Sequence, residues 1–139
     1  MRLLFLLIAI LMLPLETFAE DILVVVNKEN ATDNLSKSQV IDIFMGRYVA
    51  FPDDSPAKPL DVSDSKLKGE FYKRLTKLNL AKVNAYWSKI TFSGKARRPD
   101  ELSDEAQVID KLAKEPLSIS YISASSLQDH LKVVHVITE

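Results

Sequence analysis

Residues 59–72 read PLDVSDSKLKGEFY. Pro59 to Val62 reads as a short strand. Leu67 and Phe71 then recur at helical spacing, and Leu75 and Leu78 extend the stripe. The stretch is thus a strand–turn–helix unit with two serines, Ser63 and Ser65, in the turn. Ser63 or Asp64 can cap the helix there. The same free backbone amides, with the helix dipole behind them, also favour an anion.

The rest of the chain supplies partners for this unit. Ile22-Leu23-Val24-Val25-Val26 is an apolar, β-branched run that reads as a strand covered on both faces. Ser36 and Gln39 form a capping box, and Leu35 and Val40 stand at the staple positions on either side. Val40, Ile43 and Phe44 make one apolar stripe, and Gly46 ends that helix. Residues 47–58 hold Pro52, Pro56 and the Asp53-Asp54 pair, which predict a loop. Tyr48, Val49 and Phe51 should pack it against the body. A further helix, capped by Asn79, carries Val83, Tyr86, Trp87 and Ile90. Thr91 to Pro99 reads as a basic loop around Gly94, and Ser103 as the cap of the next helix, whose inward residues are Val108, Ile109 and Leu112. Pro116 stops it. LSISYI alternates as a strand, Ser123 to Leu127 is a short turn or helix, and Val133 to Ile137 is a last strand. Alternating elements of this kind define an α/β three-layer domain.

Met1-Arg2, the apolar run Leu3 to Leu13, Pro14 and the small-residue end Thr17-Phe18-Ala19 have the layout of a secretory signal peptide over residues 1–19. Its apolar run is too short for a spanning helix, which needs about 20 residues. Residues 20–139 then form one domain, expected to be a soluble, periplasmic protein whose mature chain does not insert into a membrane. The sequence has no cysteine, which excludes disulfides.

A net charge of −1 conceals an asymmetry: residues 66–98 hold ten Lys/Arg against Glu70 alone, between acidic flanks. Such a segment can attract anions or an acidic partner, or serve as the solvated face of helices. His130 and His135 are the only histidines, too few for a zinc site. There is no Gly-x-Ser-x-Gly elbow and no phosphate loop ending in Gly-Lys-Ser/Thr. The sequence therefore predicts no enzyme, no cofactor and no nucleic-acid partner. A second candidate for gripping an oxyanion is the Ser93-Gly94-Lys95 turn with Arg97 and Arg98.

Three pieces in order, IDIFMGRYVAFPDDSPAKPLDVSDSKLKGEFY, YWSKITFSGKARRP and EPLSISYI, resemble the phosphate ABC-transporter substrate-binding protein family. The resemblance implies a periplasmic binding protein type 2-like single lobe, with a small mixed sheet flanked by helices. It implies a solute-binding-like protein associated with phosphate transport, working beside an inner-membrane transporter or sensor. It places phosphate or a similar oxyanion against Ser63, Ser65 and Lys66, with Asp61 and Asp64 flanking and Lys95 and Arg97 assisting. Glycine positions of the family pattern carry side chains here, Asp54 and Asp64 among them, and no arginine precedes the turn. The other reading is an interaction module that kept the fold, lost the ligand and docks an acidic partner through its basic 66–98 surface.

Overall fold

The computed structural model describes residues 20–139, so the signal-peptide reading of residues 1–19 lies outside the described residues. The chain folds into a mixed five-stranded sheet: β1 (Ile22–Asn27), β2 (Lys58–Val62), β3 (Asp100–Leu102), β4 (Ser118–Ser123) and β5 (Leu131–Ile137), in spatial order β3-β2-β4-β1-β5. Four helices flank it: α1 (Lys37–Phe44), α2 (Ser65–Thr76), α3 (Leu80–Phe92) and α4 (Glu105–Lys114). A 3-10 turn, Ala124–Ser126, lies between β4 and β5 in the chain.

β1 is buried at every position, as an uninterrupted Val/Ile/Leu run demands. Its neighbours β4 and β5 are both antiparallel to it, whereas β2 is parallel to β3 and β4. A bulge between Val24 and Val25 shifts the β5 register. Since successive residues of a strand face opposite sides, full burial of β1 means that helices cover both faces of the sheet.

The helix starts follow their sequence signals. Ser36 Oγ accepts from Gln39 N at 3.2 Å, and Gln39 Oε1 accepts from Ser36 N at 2.8 Å, closing the capping box. Asn79 Oδ1 accepts from Lys82 N at 2.9 Å and starts α3. Gly46 takes φ +72° just past α1, under the Trp87 ring. Tyr86 donates to Met45 O at 2.6 Å and ties α3 to the same corner.

Four local expectations are corrected. Asp104, not Ser103, caps α4, accepting from Gln107 N at 2.9 Å; its carboxylate reaches the third amide of the helix, while Ser103 lies one residue outside. Thr91 and Phe92 belong to α3, and the loop begins at Ser93. Tyr48 does not pack on the body: it is 54% exposed and donates its hydroxyl to Asp54, while Phe51 beside it is fully buried. Asp100–Leu102 is a strand that its acidic composition hides, formed by parallel pairing with Leu60–Val62.

The alternation in LSISYI predicts one wet face, yet Ser118 and Ser120 are fully buried. The β2–β4 ladder stops at the Pro59–Ile119 pair. Beyond it, Ser120 Oγ donates to Leu60 O at 2.7 Å, so a side chain takes the place of the missing ladder bond.

Gly46→Ala should destabilise the protein by about 2–4 kcal/mol, combining left-handed strain with overpacking. An added Cβ there would lie 2.8 Å from Trp87 Cη2 and 2.9 Å from Ala96 Cβ. Gly94→Ala, at φ +70° with no atom within 4 Å, should cost only about 1 kcal/mol. Urea unfolding of both variants checks the difference.

Candidate functional site

The strand–turn–helix unit at residues 59–72 places Asp61, Ser63, Asp64, Ser65 and Lys66 around the start of α2, beyond the carboxyl end of β2. In open α/β sheets this is where ligands bind. β3 ends beside it, so Glu101 joins the group through its register with Asp61.

The Ser63 hydroxyl and the first free amides of α2 are already engaged. Asp64 is the N-cap of α2: its Oδ1 accepts from Lys66 N at 3.0 Å and Leu67 N at 3.4 Å. The amides that would receive an anion thus hold the chain's own carboxylate. Ser63 Oγ donates to Glu101 Oε1 at 3.1 Å. Glu101 Oε2 accepts from Lys68 Nζ at 2.7 Å. Hydrogen bonding and charge from Lys68 hold the Glu101 carboxyl below its ordinary range. Ser65 and Lys66 are exposed, and neither side chain makes a hydrogen bond among the described residues.

Asp61 plays a different part from the one the sequence suggested. It is 4% exposed and faces inward. Tyr72 OH donates to both its oxygens, at 2.9 and 3.0 Å, and Tyr121 OH donates to Oδ1 at 2.9 Å. Lys68 Nζ stands 3.9 Å away. Burial pushes the Asp61 carboxyl upward, and Lys68 and the two tyrosines oppose that only in part. Burial and the adjacent carboxylate raise both tyrosines, which therefore remain protonated donors. Neither tyrosine was recognisable as a site residue in the sequence, because nothing local ties Tyr121 to Asp61, sixty positions away.

Neither Lys95 nor Arg97 makes a hydrogen bond or ion pair with Asp61, Ser63, Asp64 or Ser65 among the described residues. Arg97 pairs with Asp100 at 2.8 Å with its side chain 86% exposed, and Lys95 is exposed in the Ser93–Pro99 loop. Of the three basic residues in this loop, Arg98 stands near enough for its charge to lower both Glu101 and Tyr72.

Beside the α2 start lies an open groove of about 540 Å³. Six carboxylates line it, Asp64, Glu70 and Glu105 among them, against only Lys66 and Arg74. Arg74 is further committed to Glu70 at 3.1 Å. Among the described residues, no group of three or more His, Asp or Glu side chains could hold a metal ion.

The fold is a mixed α/β domain like that of substrate-binding proteins. No protein-family model and no curated protein matches the sequence. Solved structures do match its fold. One is an ABC-type phosphate transport receptor from Vibrio cholerae, at TM-score 0.66 and 15% identity over 86% of this chain and 48% of that one. Another, from Clostridium perfringens with bound phosphate, is provisionally assigned as a phosphate ABC transporter substrate-binding protein; it matches at TM-score 0.65 and 16% identity over 85% and 46%. PstS from Borrelia burgdorferi matches at TM-score 0.58 and 16% identity over 85% and 48%. The chain spans about half the length of these structures. The glycine pattern deviates without deforming the backbone at one point: Asp54 keeps a left-handed φ of +68°, which Asp tolerates better than most residues.

Asp61 and Glu101 should act oppositely on the pH dependence of stability. A carboxyl raised on folding stabilises most below its unfolded value, near 3.8 for Asp61, and that contribution is lost as pH rises through the raised folded value. A lowered carboxyl, Glu101, contributes above its unfolded value and loses the contribution as pH falls through its folded one. Asp61→Asn should therefore gain on the native protein as pH rises from 4 toward 7, because it removes a carboxylate that must ionise while buried. Thermal unfolding across pH checks this; a stability difference between variant and native protein that stays constant with pH would refute it.

Proposed function

We propose that this protein is an exported single-lobe relative of the phosphate-uptake binding proteins, a non-catalytic interaction module rather than a self-sufficient phosphate receptor. The observation that carries this reading is the occupation of the α2 N-terminus by Asp64. An incoming oxyanion must displace that cap, which costs about 1 kcal/mol of helix stability. It must also sit near Asp64 and Glu101. Each carboxylate about 4 Å from the anion opposes it by ~1 kcal/mol in water and ~4 kcal/mol in a partly enclosed site. The hydroxyl of Ser63 returns only about 1 kcal/mol and is already shared with Glu101.

The fold likeness to phosphate transport receptors supports the association with oxyanion uptake, in the periplasm and next to an inner-membrane transporter or sensor. The charge distribution supports a docking role. Lys66, Lys73, Lys77, Lys82, Lys89 and Lys95 are without an ion-pair partner among the described residues. A surface of that kind suits an acidic partner and a salt-sensitive complex.

Calorimetry on residues 20–139 tests the reading. Native protein should give no binding heat with millimolar phosphate or sulfate. Asp64→Ser keeps a capping hydroxyl and removes the charge; it should open weak phosphate binding through Ser63, Ser65 and Lys66. Ser63→Ala with Ser65→Ala should then abolish what Asp64→Ser gained. Micromolar phosphate binding by the native chain, lost in the double serine variant, would instead establish Ser63, Ser65 and Lys66 as a working oxyanion site.

A further inference from the structure

Phe92, the last residue of α3, is 96% exposed, far above Tyr48, Val136 and Leu127, the next most exposed large apolar side chains at 54%, 47% and 45%. The helix ends there in a tip. Thr91, Ser93, Gly94 and Lys95 are all exposed, and no atom lies within 4 Å of the position where a Gly94 side chain would start. Gly94 at φ +70° turns the chain sharply behind the ring. Lys89 precedes Phe92 by three residues and Lys95 follows it by three, and neither has an ion-pair partner among the described residues. Arg97 is also exposed but is paired with Asp100 at 2.8 Å.

An aromatic ring left wholly in water contributes nothing to the fold, so packing does not account for Phe92. From the geometry we infer that this tip is a peripheral membrane contact. Phe92 enters the headgroup layer of an anionic bilayer, and Lys89 and Lys95 meet its phosphates. The inference rests on the docking role proposed above and names the acidic partner as a lipid surface. The shape of the tip favours lipid over protein. A protein hot spot sits at the centre of a broad, close-fitting patch, whereas the chain neighbours of Phe92, namely Thr91, Ser93 and Gly94, are small and exposed. A bilayer interface needs only a penetrating apolar group and cations beside it. No described helix is long and apolar enough to cross a membrane, so the contact stays peripheral. One ring with two unpaired cations belongs with single-anchor systems, marginal and reversible.

Co-sedimentation of residues 20–139 with vesicles tests this. One set is a mixture of phosphatidylglycerol and phosphatidylcholine, the other phosphatidylcholine alone. Binding should appear only with the anionic set at low salt, and fade at about 1 M salt, where the screening length is near 3 Å. Phe92→Ser should bind about tenfold or more weakly, the loss expected for one buried ring. Phe92→Trp should retain binding and show a blue-shifted emission with anionic vesicles. Lys89→Glu with Lys95→Glu should abolish it. These positions are exposed, so the variants should fold as the native chain does, which circular dichroism checks. Equal binding by Phe92→Ser, or equal binding to both vesicle sets, overturns the inference. Salt-sensitive retention on a polyglutamate resin without vesicle binding would overturn the lipid contact while leaving the basic docking surface standing. Failure on both resin and vesicles would remove the two together.

Discussion

A single buried carboxylate organises the centre of this domain. Asp61 lies at the end of β2, and its two oxygens receive hydroxyls from Tyr72 on α2 and Tyr121 on β4. Those rings belong to one aromatic cluster. Phe71 stacks on Tyr121 at 3.7 Å with an interplanar angle of 8°, and Phe44 of α1 meets both edge-on. Strands β2 and β4 share only two paired positions. What joins them beyond that point is side chains: Asp61 with Tyr121, and Ser120 on Leu60 O. A buried carboxylate is expensive unless its lone pairs are satisfied; the Tyr72 hydroxyl, shared between both oxygens, and the Tyr121 hydroxyl offset that cost in part. Each aromatic pair adds about 0.5–1.5 kcal/mol beyond its burial.

The same constraint shapes the surface above it. Lys68 reaches toward Asp61 and pairs with Glu101, and Glu101 takes the Ser63 hydroxyl. The polar atoms around the α2 start therefore form a closed chain from the buried acid to the surface. The turn resembles a phosphate cradle in outline, but Ser63 and the first helix amides serve neighbouring carboxylates. A domain of about half the length of the receptors it resembles keeps their fold while its α2 start looks inward for partners. Fold and site are separate matters, and here they have diverged at one turn.

Local chemistry made much of the fold legible. Capping residues announced α1 and α3, because a cap acts within four positions of itself. The Val/Ile/Leu run announced β1 as buried on both faces. β3 was not legible: Asp-Glu-Leu has no strand propensity, and only the presence of β2 alongside gives it hydrogen-bond partners. The burial of Ser118 and Ser120 was hidden for the same reason. Alternation marks a half-wet strand only where one sheet face meets water, and here helices cover both.

The candidate site divides along the same line. The sequence by itself determined that Ser63, Asp64, Ser65 and Lys66 would surround a helix start, since strand, turn and helix are adjacent in the chain. It also determined the concentration of Lys and Arg in residues 66–98. Only the tertiary structure decided that Asp61 points inward to two tyrosines, that Ser63 is held by Glu101, and that Arg97 pairs with Asp100. The physical reason is range. Caps and turns are set by neighbours a few residues away, whereas the partners of Asp61 and Ser63 come from strands and helices brought alongside by sheet pairing, 11 to 60 positions distant.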